Sequence, residues 1–153
     1  YEVQLDVPAS SAEAYALVAD VARSGSHFSA MVRPEPVDDQ GRWRWTMKEK
    51  GFGPVRMRAV YDAVYVCNQD ELTVTWKPPT RGAGDMDSYG SWRVEALAAG
   101  GCRLHFSART GVKGPAPGIM RRMVEGFAKE ETITLKKQYV ERIRQTLSSG
   151  PAS

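Results

Sequence analysis

The first seven residues alternate, with Tyr1, Val3, Leu5 and Val7 apolar and Glu2, Gln4 and Asp6 polar. That is the period of a strand with one buried face. Pro8 ends it. Ser10 and Glu13 have the spacing of a capping box, and a helix is predicted over 12–22 with Tyr15, Leu17, Val18 and Val21 or Ala22 as its apolar stripe. Arg23–Met31, with Ser24-Gly25-Ser26 and Phe28, reads as a short second helix or a turn. From Arg42 the period returns to two, with Trp43, Trp45 and Met47 on one face of 42–48. Gly51-Phe52-Gly53-Pro54 reads as a turn. Residues 55–67 read as one long strand whose phase slips near Asp62, where a bulge would restore it. Leu72, Val74 and Trp76 mark another strand over 72–77. Strands over 86–97 and 102–111 form a hairpin about Ala98-Ala99-Gly100-Gly101, with Cys102, Leu104, Phe106 and Ala108 on one face and Arg103, His105, Ser107 and Arg109 on the other. Gly114-Pro115-Ala116-Pro117-Gly118 ends the sheet pattern, and a long helix is predicted from Pro117 to Leu147, stopped by Gly150-Pro151.

The order is one strand, two short helices, a run of antiparallel strands and one long helix. This is an α+β chain with a curved antiparallel sheet. Its 153 residues suit one domain, expected over 1–148, with 149–153 as a flexible tail. No apolar run reaches the ~18–20 residues of a membrane span, so no integral membrane segment is expected. A chain beginning at Tyr1 leaves a removed leader peptide open. Cys67 and Cys102 both lie in apolar strand-like runs. They are expected as small buried hydrophobes in a reducing, cytoplasmic setting, although their number permits one disulfide. With no CxxC pair and no histidine at ligand spacing, neither a metal nor a cofactor is expected.

Charge changes the picture through its location. The net charge is +3. Residues 117–147 carry seven basic and four acidic side chains, so the whole excess lies on the last helix. The rest of the chain is balanced, which argues against nucleic acid as a partner. On that helix Met120, Met123, Val124 and Phe127 share one side, and continuing it gives Glu131, Thr134, Leu135 and Gln138. Two readings fit. Either the helix end leaves the sheet and Glu131 onward meets solvent, or helix and sheet enclose a cavity in which Glu131, Thr134 or Gln138 supply the few polar contacts. A further face, Ile133, Val140 and Leu147, is left for the early helices or for a partner. All four tryptophans fall in predicted strands, as in a tightly filled core or one that wraps a flat ligand.

Catalytic motifs are absent: there is no GxSxG, P-loop or GxGxxG. His105 lies on the arginine-bearing face of its strand and is expected in solvent. His27, beside Phe28, is a candidate for a pocket mouth. Arg42, Arg44, Arg56 and Arg58 are expected on a solvated sheet face, neutralised by Glu49 and Asp62.

The opening Val3-Gln4-Leu5-Asp6-Val7-Pro8-Ala9-Ser10 with Glu13–Asp20, the hairpin Ser91-Trp92-Arg93-Val94 to Gly100–Leu104, and the close Leu135–Ile143 together resemble the START-like (SRPBCC) superfamily. This is the helix-grip group that includes birch-pollen-allergen-type, lipid-transfer and polyketide cyclase/dehydrase proteins. The resemblance spans nearly all of residues 1–147. It implies a seven-stranded antiparallel sheet gripping the C-terminal helix over a hydrophobic cavity, and binding of a lipid, quinone or polyketide. On that footing Trp45, Met57, Tyr61, Trp76, Trp92, Phe106, Met123 and Phe127 are expected to line the cavity, with Glu131 or Thr134 orienting a polar end. The alternative is an enzyme of the polyketide cyclase/dehydrase type with Glu131 as pocket acid or base and Tyr61 or His27 as its partner. A third reading is an interaction module, such as a homodimer, using the Ile133/Val140/Leu147 face. A fold of this kind does not by itself fix a function.

Overall fold

A computed structural model describes residues 1–48, 50–52, 55–57, 59–82, 84, 86–112 and 119–149; the side chains of 33, 50–52, 55–57, 112, 119–128 and 131 lie outside the described set. The elements in chain order are β1 (Glu2–Val7), α1 (Ser11–Ala19), α2 (Val21–Gly25), β2 (Met31–Pro36), β3 (Arg42–Met47), β4 (Lys50–Phe52), β5 (Val55–Met57), β6 (Val60–Asn68), β7 (Thr73–Lys77), β8 (Met86–Ala96), β9 (Cys102–Val112) and α3 (Ile119–Ser148). Seven strands form one antiparallel sheet in the order β1-β9-β8-β7-β6-β3-β2, and β4 pairs with β5 separately. This is the α+β helix-grip architecture, with α3 packed over β1 and β9.

Local chemistry explains most boundaries. Ser10 Oγ accepts from the Glu13 backbone N–H at 3.1 Å and starts α1. Asp20 does the same for α2, accepting from Arg23 N–H at 3.1 Å. The β8–β9 hairpin turns through Gly100 and Gly101, both at positive φ. A Cβ on Gly101 would lie 2.4 Å from Val7 O, so only glycine lets the turn sit against β1.

One strand appears where no element was expected, and two expectations change. Met31–Pro36 is a strand although it holds Pro34 and Pro36. It lies at the sheet edge, where a missing backbone N–H costs no ladder bond. The long strand over 55–67 is two strands. Asp62 sits in regular register opposite Arg44, with no bulge, and the break falls between Met57 and Val60. Of the expected turn, Gly51 and Phe52 lie in β4, paired with β5, and Gly53 and Pro54 lie outside the described residues.

The core is built where expected. Leu5 and Val7 from β1, Cys102, Leu104, Phe106 and Ala108 from β9, and Leu17 and Val18 from α1 are buried in one cluster with Tyr139, Val140, Ile143 and Leu147 of α3. The face assigned to early helices or a partner is therefore occupied by this chain's own core at Val140 and Leu147. Both cysteines are free, and Cys102 is buried. Cys67 is exposed rather than buried: it is the next-to-last residue of β6, with its Sγ 3.9 Å from Ala19 O at the end of α1.

Candidate functional site

Between the concave face of the sheet and α3 lies a cavity of about 90 Å³. Its walls are rings. Trp45 comes from β3, Tyr61 and Tyr65 from β6, Trp76 from β7, Trp92 from β8 and Phe106 from β9. Period-two alternation puts these side chains on the same face of neighbouring strands. Trp45 stacks on Tyr61 and Tyr65 with centroids 6.2 and 6.4 Å away, and Trp76 lies 5.6 Å from Tyr65. Phe28, after α2, closes one side, 6.4 Å from Trp45 and 5.7 Å from Tyr139.

Gly90 makes the Trp76 position possible. It pairs with Trp76 across β7 and β8. A Cβ there would fall 2.2 Å from the indole Cζ2, so the ring occupies the space a side chain would take. The Trp76 Nε1–H then donates to Ser88 Oγ at 3.2 Å.

The helix side of the cavity is made by Thr132, Leu135, Lys136 and Tyr139. The expected stripe placed Thr134 and Gln138 inward. Both are exposed, and Thr134 does not line the cavity. The helix is turned by about one residue, because Tyr139, Val140, Ile143 and Leu147 anchor its last turns in the core and set the phase of the residues before them. Of the ten expected lining residues, the cavity gathers Trp45, Tyr61, Trp76, Trp92 and Phe106. The side chains of Met57, Met123, Phe127 and Glu131 lie outside the described residues.

Lys136 is the residue the sequence reading missed. As part of a basic helix it reads as solvent coat, yet it is only 8% exposed. Its ammonium donates to Ala108 O at 3.5 Å. Burial lowers its proton affinity below the ordinary lysine value. A signal was available: Lys136 stands four, seven and eleven residues before Val140, Ile143 and Leu147, which are all buried.

The phenols of Tyr61, Tyr65 and Tyr139 are held in their neutral form. Burial pushes each above the usual tyrosine range, opposed only in part at Tyr61 by Ser88, at Tyr65 by the Trp45 indole and at Tyr139 by Trp92 and Ser24. Trp92 Nε1–H donates to Tyr139 Oη at 3.4 Å. The indole N–H of Trp45 is buried and meets no acceptor within hydrogen-bond geometry, although it stands near enough to the Tyr65 hydroxyl to offset part of the rise in that phenol's pKa.

The histidines lie elsewhere. His27 does not line the cavity: its Nδ1 contacts Arg23 O at 3.0 Å and its Nε2 contacts Thr146 Oγ1 at 2.8 Å, tying α2 to the end of α3. His105 is half-buried rather than solvated, with Nε2 3.7 Å from Glu95 Oε1. Outside, Asp62 bridges Arg42 and Arg44, whose Nε–H groups donate at 2.8 and 2.9 Å. The side chains of Glu49, Arg56 and Arg58 lie outside the described residues. Among the described residues no group of three or more His, Cys, Asp or Glu could hold a metal ion. Among them, no helix is long and apolar enough to cross a membrane.

Residues 1–140 match the family described as polyketide cyclase / dehydrase and lipid transport. No curated protein matches the chain. Solved structures share the fold at low identity. The protein TTHA0849 from Thermus thermophilus is 20% identical, with TM-score 0.67 over 96% of this chain and 98% of its own. A START superfamily protein from Mycobacterium smegmatis is 15% identical, with TM-score 0.65 over 97% and 98%. The Zhui aromatase/cyclase from Streptomyces sp. R1128 is 16% identical, with TM-score 0.60 over 99% and 98%.

Proposed function

Because the chain belongs to the polyketide cyclase / dehydrase and lipid transport family, we propose that it binds a flat hydrophobic small molecule, such as a quinone, a polyketide or a lipid with a ring system, in the cavity under α3. The observation that carries this reading is the wall of six aromatic rings from five neighbouring strands, with a few polar groups set among them. Ligand sites have that composition, and aromatic pairs accept a further ring between them at offset or edge-on geometry. The cavity's 90 Å³ is well below the ~300–1,000 Å³ of drug-sized sites. A multi-ring ligand therefore enters by parting the walls. Native mass spectrometry and quenching of tryptophan fluorescence with a panel of lipids, quinones and aromatic polyketides test the idea. One-to-one complexes with quenching are expected. No complex with any panel member overturns it.

The second reading, cyclase or dehydrase catalysis on a ligand in the same cavity, draws support from the titratable groups at its wall: the three neutral phenols and the Lys136 amine. Proton transfer needs such groups within reach of the ligand. Glu131, on α3 one residue before Thr132, stays a candidate acid or base, with Tyr61 as its partner. With a linear poly-β-ketone substrate, loss of turnover with binding retained in Glu131→Gln or Tyr61→Phe assigns that residue to the chemistry. Turnover unchanged in both removes them.

A further inference from the structure

Two donors at the cavity wall carry hydrogens for which no acceptor is found among the described residues. The first is Lys136 Nζ. An ammonium has three hydrogens and accepts nothing, and its contact with Ala108 O is long at 3.5 Å. That carbonyl is already engaged by the Tyr1 backbone nitrogen at 2.9 Å. Among the described residues, no carboxylate pairs with Lys136. The arginine ion pairs among the described residues lie away from the cavity: Asp62 with Arg42 and Arg44, Glu95 with Arg93, Asp6 with Arg103, and Glu141 with Arg144. The second donor is Trp45 Nε1, buried and unpaired on a ring that lines the same cavity.

Buried lysines are rare unless paired, and a buried polar group without a partner costs free energy that a ligand can return. Both orphans are donors, so the missing group is an acceptor. A carboxylate fits best. It accepts on two oxygens and is ionised at neutral pH, where lysine is protonated, whereas a phenol gains an anionic oxygen only by losing a proton held to a pKa of about 10.

We propose that the cavity selects flat hydrophobic molecules that carry a carboxylate, with Lys136 as the counter-ion and the Trp45 indole as a second donor. The inference rests on the ligand-binding reading above and adds the polar chemistry of the ligand. The lowered proton affinity of Lys136 in the unliganded cavity agrees with a lysine that lacks its anion.

The test uses two probes of equal shape, 2-naphthoate and 2-naphthalenemethanol, titrated against the full chain by tryptophan fluorescence and calorimetry. Charge-assisted hydrogen bonds have a net worth that makes the acid bind roughly tenfold to a hundredfold more tightly than the alcohol. Lys136→Met, similar in volume and suited to an aromatic wall, is expected to erase that preference, the acid losing about tenfold or more in affinity relative to the alcohol. Lys136→Arg is expected to keep it. Equal affinities in the unmodified protein, or a preference that survives in Lys136→Met, overturn the inference while leaving hydrophobic binding intact. The unmodified protein alone decides the matter if the variants do not fold. If neither probe nor any member of the wider panel binds, the ligand-binding reading itself falls, and this one with it.

Discussion

Where α1 and the last turns of α3 cross β1, β9 and β8, the concave face is closed by branched aliphatics: Leu5, Val7, Leu17, Val94, Leu104 and Ile143. Toward β7, β6 and β3 the same face is covered by Trp76, Tyr65, Tyr61 and Trp45. The sheet is continuous, but the two regions pack differently. Aliphatic side chains interdigitate and leave no room, as in an ordinary interior. Rings with centroids 5.6–6.4 Å apart meet as stacked or tilted plates, and between them and α3 a cavity remains. Lys136 lies on the helix where one region gives way to the other. One end of the grip makes the fold, and the other gives up some packing to form a site.

The sharpest way to break this comparison is to cut into the filled end. Ile143 is completely buried, so Ile143→Ala is expected to cost about 3 kcal/mol, within the usual ~2–5 for such truncations, read by denaturant unfolding. A loss below about 1 kcal/mol would mean that the two regions are packed alike. Gly90→Ala tests the open end. Its Cβ drives into the Trp76 ring, and we expect about 1–3 kcal/mol of destabilisation, a shifted tryptophan emission and weaker ligand binding. Unchanged emission would show that the Trp76 ring does not rest on this glycine.

The next test asks whether the open end is also held from outside. Arg42 and Arg44 keep the Asp62 carboxyl below its ordinary pKa against the opposing effect of burial. A carboxyl depressed in the folded state contributes stability that is fully present above its unfolded pKa, near 3.9. That contribution is lost as pH falls through the folded pKa. Asp62→Asn is therefore expected to lower stability by about 1 kcal/mol at neutral pH, and the two proteins should converge as the medium is acidified. A constant gap down to strong acid would place the effect elsewhere. The smallest change is expected from Lys136→Met. Removing an unpaired buried ammonium leaves stability within about 1 kcal/mol, neutral or raised. A loss of several kcal/mol by thermal or chemical unfolding would show that Lys136 is a structural member of the filled end.

Much of the fold was legible. The alternation in Tyr1–Val7, Arg42–Met47 and Cys102–Ala108, the Ser10 cap and the Gly100-Gly101 turn each act over a few residues, and each appears where the pattern put it. Trp45, Trp76, Trp92 and Phe106 could be placed on the concave face for the same reason. Edge strand β2 was hidden because its prolines argue against a strand unless its position at the edge is known. Phe28, Tyr65 and Tyr139 were readable as apolar residues but not as cavity walls. Lys136 was hidden because its type says surface and only its spacing from Val140, Ile143 and Leu147 says interior.

Local periodicity in the sequence therefore encoded the order of most elements, the inward face of the strands it found and the aromatic character of one stretch of sheet. Only the tertiary structure decided the rotation of α3. That rotation depends on how Tyr139, Val140, Ile143 and Leu147 lock against β1, β9 and α1, contacts far apart in the chain. A turn of one residue exchanges Thr134 and Gln138 for Thr132, Lys136 and Tyr139 at the cavity wall and keeps Leu135 there. A helical stripe extrapolated from the other end of a thirty-residue helix cannot resolve so small an angle, because side-chain packing at the anchored end sets it.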